Sequence, residues 1–327
     1  MDLTQNIDQF LDHLSLTKQP STIKRYRYDC LQFLQWMKQY RKNPSTSITP
    51  FPSIEEVSSY YSYLHRGEIY SPNTIRRILS VLRHLFIFTT KQEHVYLISD
   101  LIKETKVKKP GKNTPYLHLD DITKLFKTIH SNRGLTEKQK QYRYMMYERN
   151  ESIFRLILHY GLTIQEISSL TVDRIHFASN EIELFSRKGK KRTLKITPDD
   201  RKKLFDYYMR IPPAIRPNRY DSLPFFIAFD YQRGSYRWDE EHNCGKQLSD
   251  VALQKMIRME MRRAGFTNNM NAQKLRKTYI INQFMDGVEK EELRKKLALE
   301  TTQPLDYLEQ VADEIMKNKI TIKSMKQ

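Results

Sequence analysis

Three stretches decide the fold: HYGLTIQEISSL at 159–170, SRKGKKRTLKI at 186–196 and NAQKLRKTYI at 271–280. The first joins the end of an apolar helical run, ESIFRLILHYGL, to a new helix opening at Thr163. The second lies within EIELFSRKGKKRTLKITP, where apolar and polar residues alternate on either side of a basic turn; this predicts a hairpin with its tip at Lys188–Lys191. The third begins a helix, KLRKTYIINQFMDG.

Around these stretches, DDITKLFKTIH, SDVALQKMIRMEMRRAG and KEELRKKLAL also read as helices. The residues beyond about 117 therefore form a domain that is mainly α with a small β-sheet. Upstream, Ser21 is the expected N-cap of STIKRYRYDCLQFLQWMKQY, whose apolar positions Ile23, Tyr26, Cys30, Phe33, Leu34 and Met37 recur at helical spacing. Lys24, Arg25 and Arg27 lie near its start, partly off that stripe. After a break at NPSTSITPFP comes a short helix, SIEEVSSYYSYLHR. Ser71-Pro72 then carries the cap-then-proline signature of a helix start. That helix gathers Ile75, Ile78, Leu79, Leu82 and Phe86 on one face and leaves Arg76, Arg77 and Arg83 largely off it. The aperiodic, basic KETKVKKPGKNTPY at 103–116 is the expected interdomain linker.

Composition narrows the function. The chain has 327 residues, 56 Lys and Arg against 38 Asp and Glu, and a net charge of +18. Such a surplus draws a protein to polyanions, nucleic acid first. Residues 1–110 carry 16 Lys and Arg against 10 Asp and Glu, and the remainder 40 against 28. Both halves are basic, as two halves of a DNA clamp would be. No apolar run approaches the roughly 20 residues of a membrane span, and the acidic start MDLTQNIDQFLDHL is unlike a basic signal peptide. Cys30 and Cys244 lack metal or disulfide spacing. His159, His176 and His242 lack ligand spacing, and there is no glycine-rich phosphate loop. No cofactor, metal or membrane partner is expected, and a reducing cytoplasm fits best.

The order of these motifs resembles the tyrosine recombinases, a family of phage integrases and chromosome-dimer resolvases, over nearly the whole chain. PSTIKRYRYDCLQFLQWM and SPNTIRRILSVLRHLF are similar to the first and last helices of the family's core-binding domain. HYGLTIQEISSL resembles its "tGLRxsEl" box, SRKGKKRTLKI its lysine hairpin and NAQKLRKTYI its "HxLRHT" box. LALETTQPLDYLEQV resembles the segment that ends in the nucleophilic tyrosine. The implied architecture is a two-domain clamp. It has a helical SAM-like core-binding domain at 1–105, a basic linker at 106–116 and a catalytic-like domain at 117–327. GLTIQEISSLTVDRI also has the look of a helix-turn-helix, but the recombinase box explains the same residues in a longer context.

In that chemistry a tyrosine hydroxyl attacks a phosphodiester and gives a 3′-phosphotyrosyl link. Two arginines hold the non-bridging oxygens, a hairpin lysine protonates the leaving oxygen, and two further positions, usually histidine, manage protons. The resemblance carries over residue by residue. Thr163 stands at the first arginine's place, Lys188 at the lysine's and Gln273 at the first histidine's. Arg276 holds the second arginine's place, Ala298 or Leu299 the later histidine's, and Tyr307 the nucleophile's. Thr163, Gln273 and Leu299 cannot carry the charge or the protons required. Loss of a single preorganised donor costs ~2.7–4 kcal/mol, or roughly a hundred- to thousandfold in rate.

The expectation is a sequence-specific double-stranded DNA-binding protein without recombinase activity. The implied role is a transcriptional repressor of a prophage or mobile element, similar to the recombinase-like repressors suspected for SPbeta-type prophages. Self-association on DNA fits that role. The vestigial catalytic candidates are Tyr307, Arg276 and Lys188. The DNA-binding candidates are Lys24, Arg25, Arg27, Arg76, Arg77, Arg83, Lys188, Lys190, Lys191, Arg192, Lys274, Arg276 and Lys277. Two alternatives stand beside it. One is an active, divergent integrase in which Lys274, Lys277 or Arg187 substitutes for the missing groups; the other is an accessory protein that bends DNA. With 20 tyrosines in the chain, Tyr307 reads equally well as a packing residue. A basic turn at Lys188 and a solvated arginine face on the first helices are the plain readings of the other candidates. Tyr142, Tyr144 and Tyr147 lie in a segment that looks inserted relative to the family and has no assigned role.

Overall fold

A computed structural model describes residues 3–41, 51–106, 116–185, 189, 191–266 and 270–324. The chain divides into two compact units, Met1–Gly111 and Lys112–Gln327.

The first unit is all helical: α1 (Leu3–Ser15), α2 (Pro20–Tyr40), α3 (Ile54–His65), α4 (Pro72–Phe88) and α5 (Gln92–Glu104). The helix whose expected N-cap is Ser21 begins two residues earlier. Its N-cap is Gln19, which makes no side-chain cap bond, and Pro20 occupies the first turn. Proline is suited to that position because its missing N–H would have no intrahelical partner there. The starts of α3 and α4 follow the sequence signals. Ser53 and Glu56 form a capping box, and the Ser71 hydroxyl accepts from the Thr74 amide at 3.2 Å, with Pro72 following. The apolar faces meet in one core that includes Phe33, Tyr60, Leu82, Phe86 and Ile98.

The second unit opens with α6 (Leu119–Ile129), α7 (Glu137–Gln141), α8 (Arg143–Tyr160) and α9 (Ile164–Ser168). A three-stranded antiparallel sheet follows, β1 (Ile175–His176), β2 (Glu181–Phe185) and β3 (Lys191–Lys195), in the order β1-β2-β3. After α10 (Pro198–Arg210) come two minimal hairpins, β4 (Phe229–Asp230) with β5 (Ser235–Tyr236) and β6 (Trp238–Asp239) with β7 (Cys244–Gly245). Four helices close the unit: α11 (Asp250–Arg263), α12 (Ala272–Met285), α13 (Lys290–Lys296) and α14 (Gln303–Ser324). The chain is thus mainly helical with small antiparallel sheets. The hairpin read from alternation is β2–β3, with Leu184 opposite Arg192 and Ile182 opposite Leu194. Its tip residues Lys188 and Lys190, and Arg187 beside them, lie outside the described residues.

Helix α8 is the spine of this unit. Ile153, Phe154, Leu156 and Ile157 sit in the main core with Ile257 of α11 and Leu275 of α12. Its first half also buries polar side chains, Arg143, Glu148, Arg149, Asn150 and Glu151. Glu260 of α11 is fully buried and accepts from Arg143 at 2.7 Å and from Asn150 at 2.8 Å; Arg263 binds its second oxygen. A buried charge persists only when paired in this way. The tyrosines of the inserted-looking segment also pack. Tyr142 meets the Phe229 ring at 5.6 Å, and Tyr147 meets the His130 ring at 4.7 Å. A separate small core gathers Tyr279, Ile280, Ile281 and Phe284 of α12 with Leu293, Leu297, Leu305, Leu308 and Val311.

Candidate nucleic-acid interface

The turn between α8 and α9 organises the candidate site. Gly161 ends α8 in the left-handed conformation, φ +67°. A Cβ there would lie 2.5 Å from the Tyr279 ring and 2.9 Å from Leu297, so only glycine admits this approach of α12. Two residues on, Thr163 caps α9 in a closed box. Its hydroxyl accepts from the Glu166 amide and donates to the Glu166 carboxylate at 2.9 Å, and its own N–H donates to the same oxygen at 2.8 Å. The short Thr163 side chain is therefore committed to the cap.

The other Glu166 oxygen faces β3. Burial alternates along that strand, with Lys191, Thr193 and Lys195 exposed and Arg192 and Leu194 turned inward. Arg192 donates to Glu166 Oε1 from Nη2 at 2.7 Å and from Nε at 3.2 Å. Its Nη1 donates to the Lys296 carbonyl at 2.5 Å, at the end of α13. The two side chains are only 11% and 10% exposed, which makes this pair part of the interior. Lys191 points the other way and pairs with Glu183 at 2.7 Å.

Arg276 reaches the same turn from α12. Asn271 caps that helix, accepting from the Lys274 amide at 3.1 Å, and so sets the position of the first turn. Arg276 Nε donates to the Gly161 carbonyl at 2.6 Å. Among the described residues, its terminal nitrogens carry no hydrogen bond. Burial holds the guanidinium below its ordinary pKa; Glu166 opposes that effect and Arg192 adds to it. Lys274 is also lowered, by burial and then by Lys277. Arg192 and Arg276 thus meet at one turn, where Arg192 already holds the Glu166 carboxylate. A partly buried, under-neutralised guanidinium with free N–H groups is an anion receptor.

Other sequence-read positions fall elsewhere. Gln273 is exposed on the first turn of α12. Leu299 packs on the small core, and Ala298 lies in the tight turn after α13 with φ +50°. Tyr307, on α14, is half-buried against the same small core. The buried Tyr279 lies within electrostatic reach of Arg192 and Arg276; burial raises its hydroxyl and the two arginines oppose the rise.

In the first unit, Lys24, Arg25, Arg27 and Arg76 are exposed. Arg77 and Arg25 converge on the fully buried Asp29, Arg25 at 3.7 Å. Arg27 pairs with Asp8 at 3.0 Å, and Arg83 donates to Ser99 at 2.9 Å. Sequence reasoning missed Asp29, which sits on the polar side of α2 and ties that helix to α4. His159 pairs with Asp200 and His176 with Glu183. His242 lies beside Asp239 and Glu241, with potential ligand atoms within 4.8 Å of one another. Among the described residues, no helix is long and apolar enough to cross a membrane.

Residues 7–93 match the family of phage integrase N-terminal SAM-like domains. Tyrosine recombinase XerC of Caldanaerobacter subterraneus subsp. tengcongensis is 22% identical over 218 residues, 62% of this chain and 57% of that protein. XerC of Lacticaseibacillus casei strain BL23 is 21% identical over 305 residues, 91% of this chain and 92% of that one. The matched part thus spans little more than half of the first relative and nearly all of the second. The Tn1549 transposon integrase, solved in complex with circular intermediate DNA, superposes with a TM-score of 0.66 at 13% identity, over 97% of this chain and 99% of that one. The chain is similar to the tyrosine recombinases in sequence and shares their fold. In this recombinase fold the Gly161 turn, β3 and the first turn of α12 meet in one place.

Proposed function

We propose that the protein is a double-stranded DNA-binding regulator, built on the recombinase fold and unable to cut and rejoin DNA efficiently. The observation that carries this reading is Thr163. At the place where the family resemblance puts an arginine, the side chain is a helix cap whose hydroxyl is held by Glu166. A neutral hydroxyl in that role cannot balance the charge of a pentavalent phosphoryl transition state. Gln273 and Leu299 remove the proton-handling groups. The cations remain, and the chain's net charge of +18 supplies the attraction to duplex DNA. A sequence-specific repressor of a prophage or mobile element is the role that keeps the grip and dispenses with the chemistry.

A nicked suicide duplex tests the reading. No covalent protein–DNA adduct is expected; an adduct that forms with the wild type and disappears in Tyr307→Phe would overturn it. Binding to duplex should weaken steeply with salt, and Arg276→Ala and Lys188→Ala should weaken it further. A reporter fused to the DNA flanking the protein's own gene distinguishes repression from DNA bending alone.

A further inference from the structure

We infer that Arg192 supplies the cation that Thr163 does not, so that the site grips a DNA phosphate with two guanidiniums delivered from β3 and α12. The inference rests on the DNA-binding reading above and assigns one residue to its phosphate contact.

Thr163 and Arg192 share one carboxylate, Thr163 on Oε2 and Arg192 on Oε1 of Glu166. A guanidinium from the strand therefore stands one carboxylate's width from the side chain at the arginine position. Arg276 approaches the same turn through the Gly161 carbonyl, and the two arginines are close enough for Arg192 to lower the Arg276 guanidinium electrostatically. Two guanidiniums brought together around one carboxylate leave a net positive charge at the turn. That arrangement is unfavourable unless an anion joins it.

Arg192 is also held in a defined pose. Its contacts to Glu166, two in number, and to the Lys296 carbonyl use three N–H groups of the five that a guanidinium carries. The remaining N–H groups are fixed by the planarity of the fork, and a preorganised donor of this kind stabilises anionic oxygens. A lysine in its place could neutralise Glu166 but could not hold Glu166, the Lys296 carbonyl and a phosphate in one plane. The position is also dictated by the strand. In-register pairing with Leu184 turns residue 192 inward, while Lys191 and Lys195 face solvent. Among the described residues of the basic run, Arg192 is therefore the one aimed at the turn.

The test measures affinity for a labelled duplex from the region around the protein's own gene, at several salt concentrations. Arg192→Thr should flatten the plot of log affinity against log salt by about one unit, as expected for one lost phosphate contact. Moving the guanidinium in Thr163→Arg/Arg192→Thr should restore the slope. A folded Arg192→Thr with the wild-type slope overturns the inference, as does a double variant no better than the single one. If Arg192→Thr fails to fold, Arg192→Lys decides. It keeps a charge beside Glu166, yet at a temperature where it is folded should bind duplex several-fold more weakly; unchanged affinity overturns the inference. A wild type without affinity for duplex overturns the DNA-binding reading and this inference together. A slope that falls in Arg276→Ala but not in Arg192→Thr overturns this inference alone.

Discussion

Replacing Glu166 with glutamine should move stability and DNA affinity in opposite directions. Among the described residues, this carboxylate is held by donors on both oxygens. Oε2 accepts from the Thr163 amide and hydroxyl at 2.8 and 2.9 Å, and Oε1 accepts from Arg192 Nη2 at 2.7 Å. A glutamine has the same shape but presents an NH2 on one side. Whichever way the amide turns, donor faces donor, at Thr163 or at Arg192. An unsatisfied donor in a site this enclosed costs ~1–3 kcal/mol, and loss of the charge-assisted pairing adds to it, for a total of about 3 kcal/mol. In a unit of this size that corresponds to a fall of roughly 6–12 °C in melting temperature. The same substitution removes the one negative charge among the cations of the turn. A phosphate and Glu166 on opposite sides of the Arg192 guanidinium would be roughly 8 Å apart. Their repulsion then lies between about 0.5 kcal/mol at a water-like dielectric and about 2 kcal/mol at an effective value of 20. Glu166→Gln should therefore bind duplex roughly two- to thirtyfold more tightly at a temperature where both proteins are folded. Thermal denaturation followed by circular dichroism and fluorescence anisotropy with a duplex read the two effects separately. A folded variant that loses affinity in step with stability would refute the view of this turn as a phosphate receptor.

Glu260→Gln should destabilise the second unit by about 3–5 kcal/mol in urea denaturation, because it leaves the buried Arg143 and Arg263 facing each other without a counter-charge; a loss under 1 kcal/mol would mean that the network is already water-filled. Burial alone would raise the Asp200 carboxyl, but hydrogen bonds from His159, Tyr160 and Arg155 outweigh it and hold it well below the usual carboxylate range. The stability this network contributes is present above the unfolded carboxyl's pKa and is lost as pH falls below it toward the folded value. The wild type should therefore lose stability faster than Asp200→Asn between about pH 5 and 3, and parallel pH profiles would contradict the assignment.

The elements legible in the sequence were those with a local signal. Ser71-Pro72 marks α4, alternation around the basic turn marks β2–β3, and apolar spacing marks α8 and α12. Helices α1, α5 and α10 and the hairpins β4–β7 escaped. In the hairpins, two-residue strands are too short for a period to show. At the site, the order of motifs pointed to Thr163 and Arg276, which meet at the Gly161 turn, but their partners lie far along the chain. Gly161 and Arg276 are separated by 115 residues, and Arg143 and Glu260 by 117. Nothing local in β3 distinguishes Arg192 from its basic neighbours except parity. An even position in that strand turns toward Glu166 and an odd one toward water. The error at Ser21 has the opposite origin, since a strong capping residue was preferred to the proline that begins the helix.

Helix α12 belongs to two cores at once, with Leu275 in the main one and Tyr279, Ile280 and Phe284 in the small one shared with α13 and α14. Arg276 is thus mounted on a seam. A subglobal opening of the layer on its far side, which carries Tyr307, would leave the separate main core beneath it in place. That layer also supplies the Lys296 carbonyl that steadies Arg192. Anchoring of the carboxy-terminal helices and occupancy of the turn by an anion are therefore thermodynamically linked. Whatever the docked layer adds to anion affinity, a bound anion returns as protection of that layer against opening.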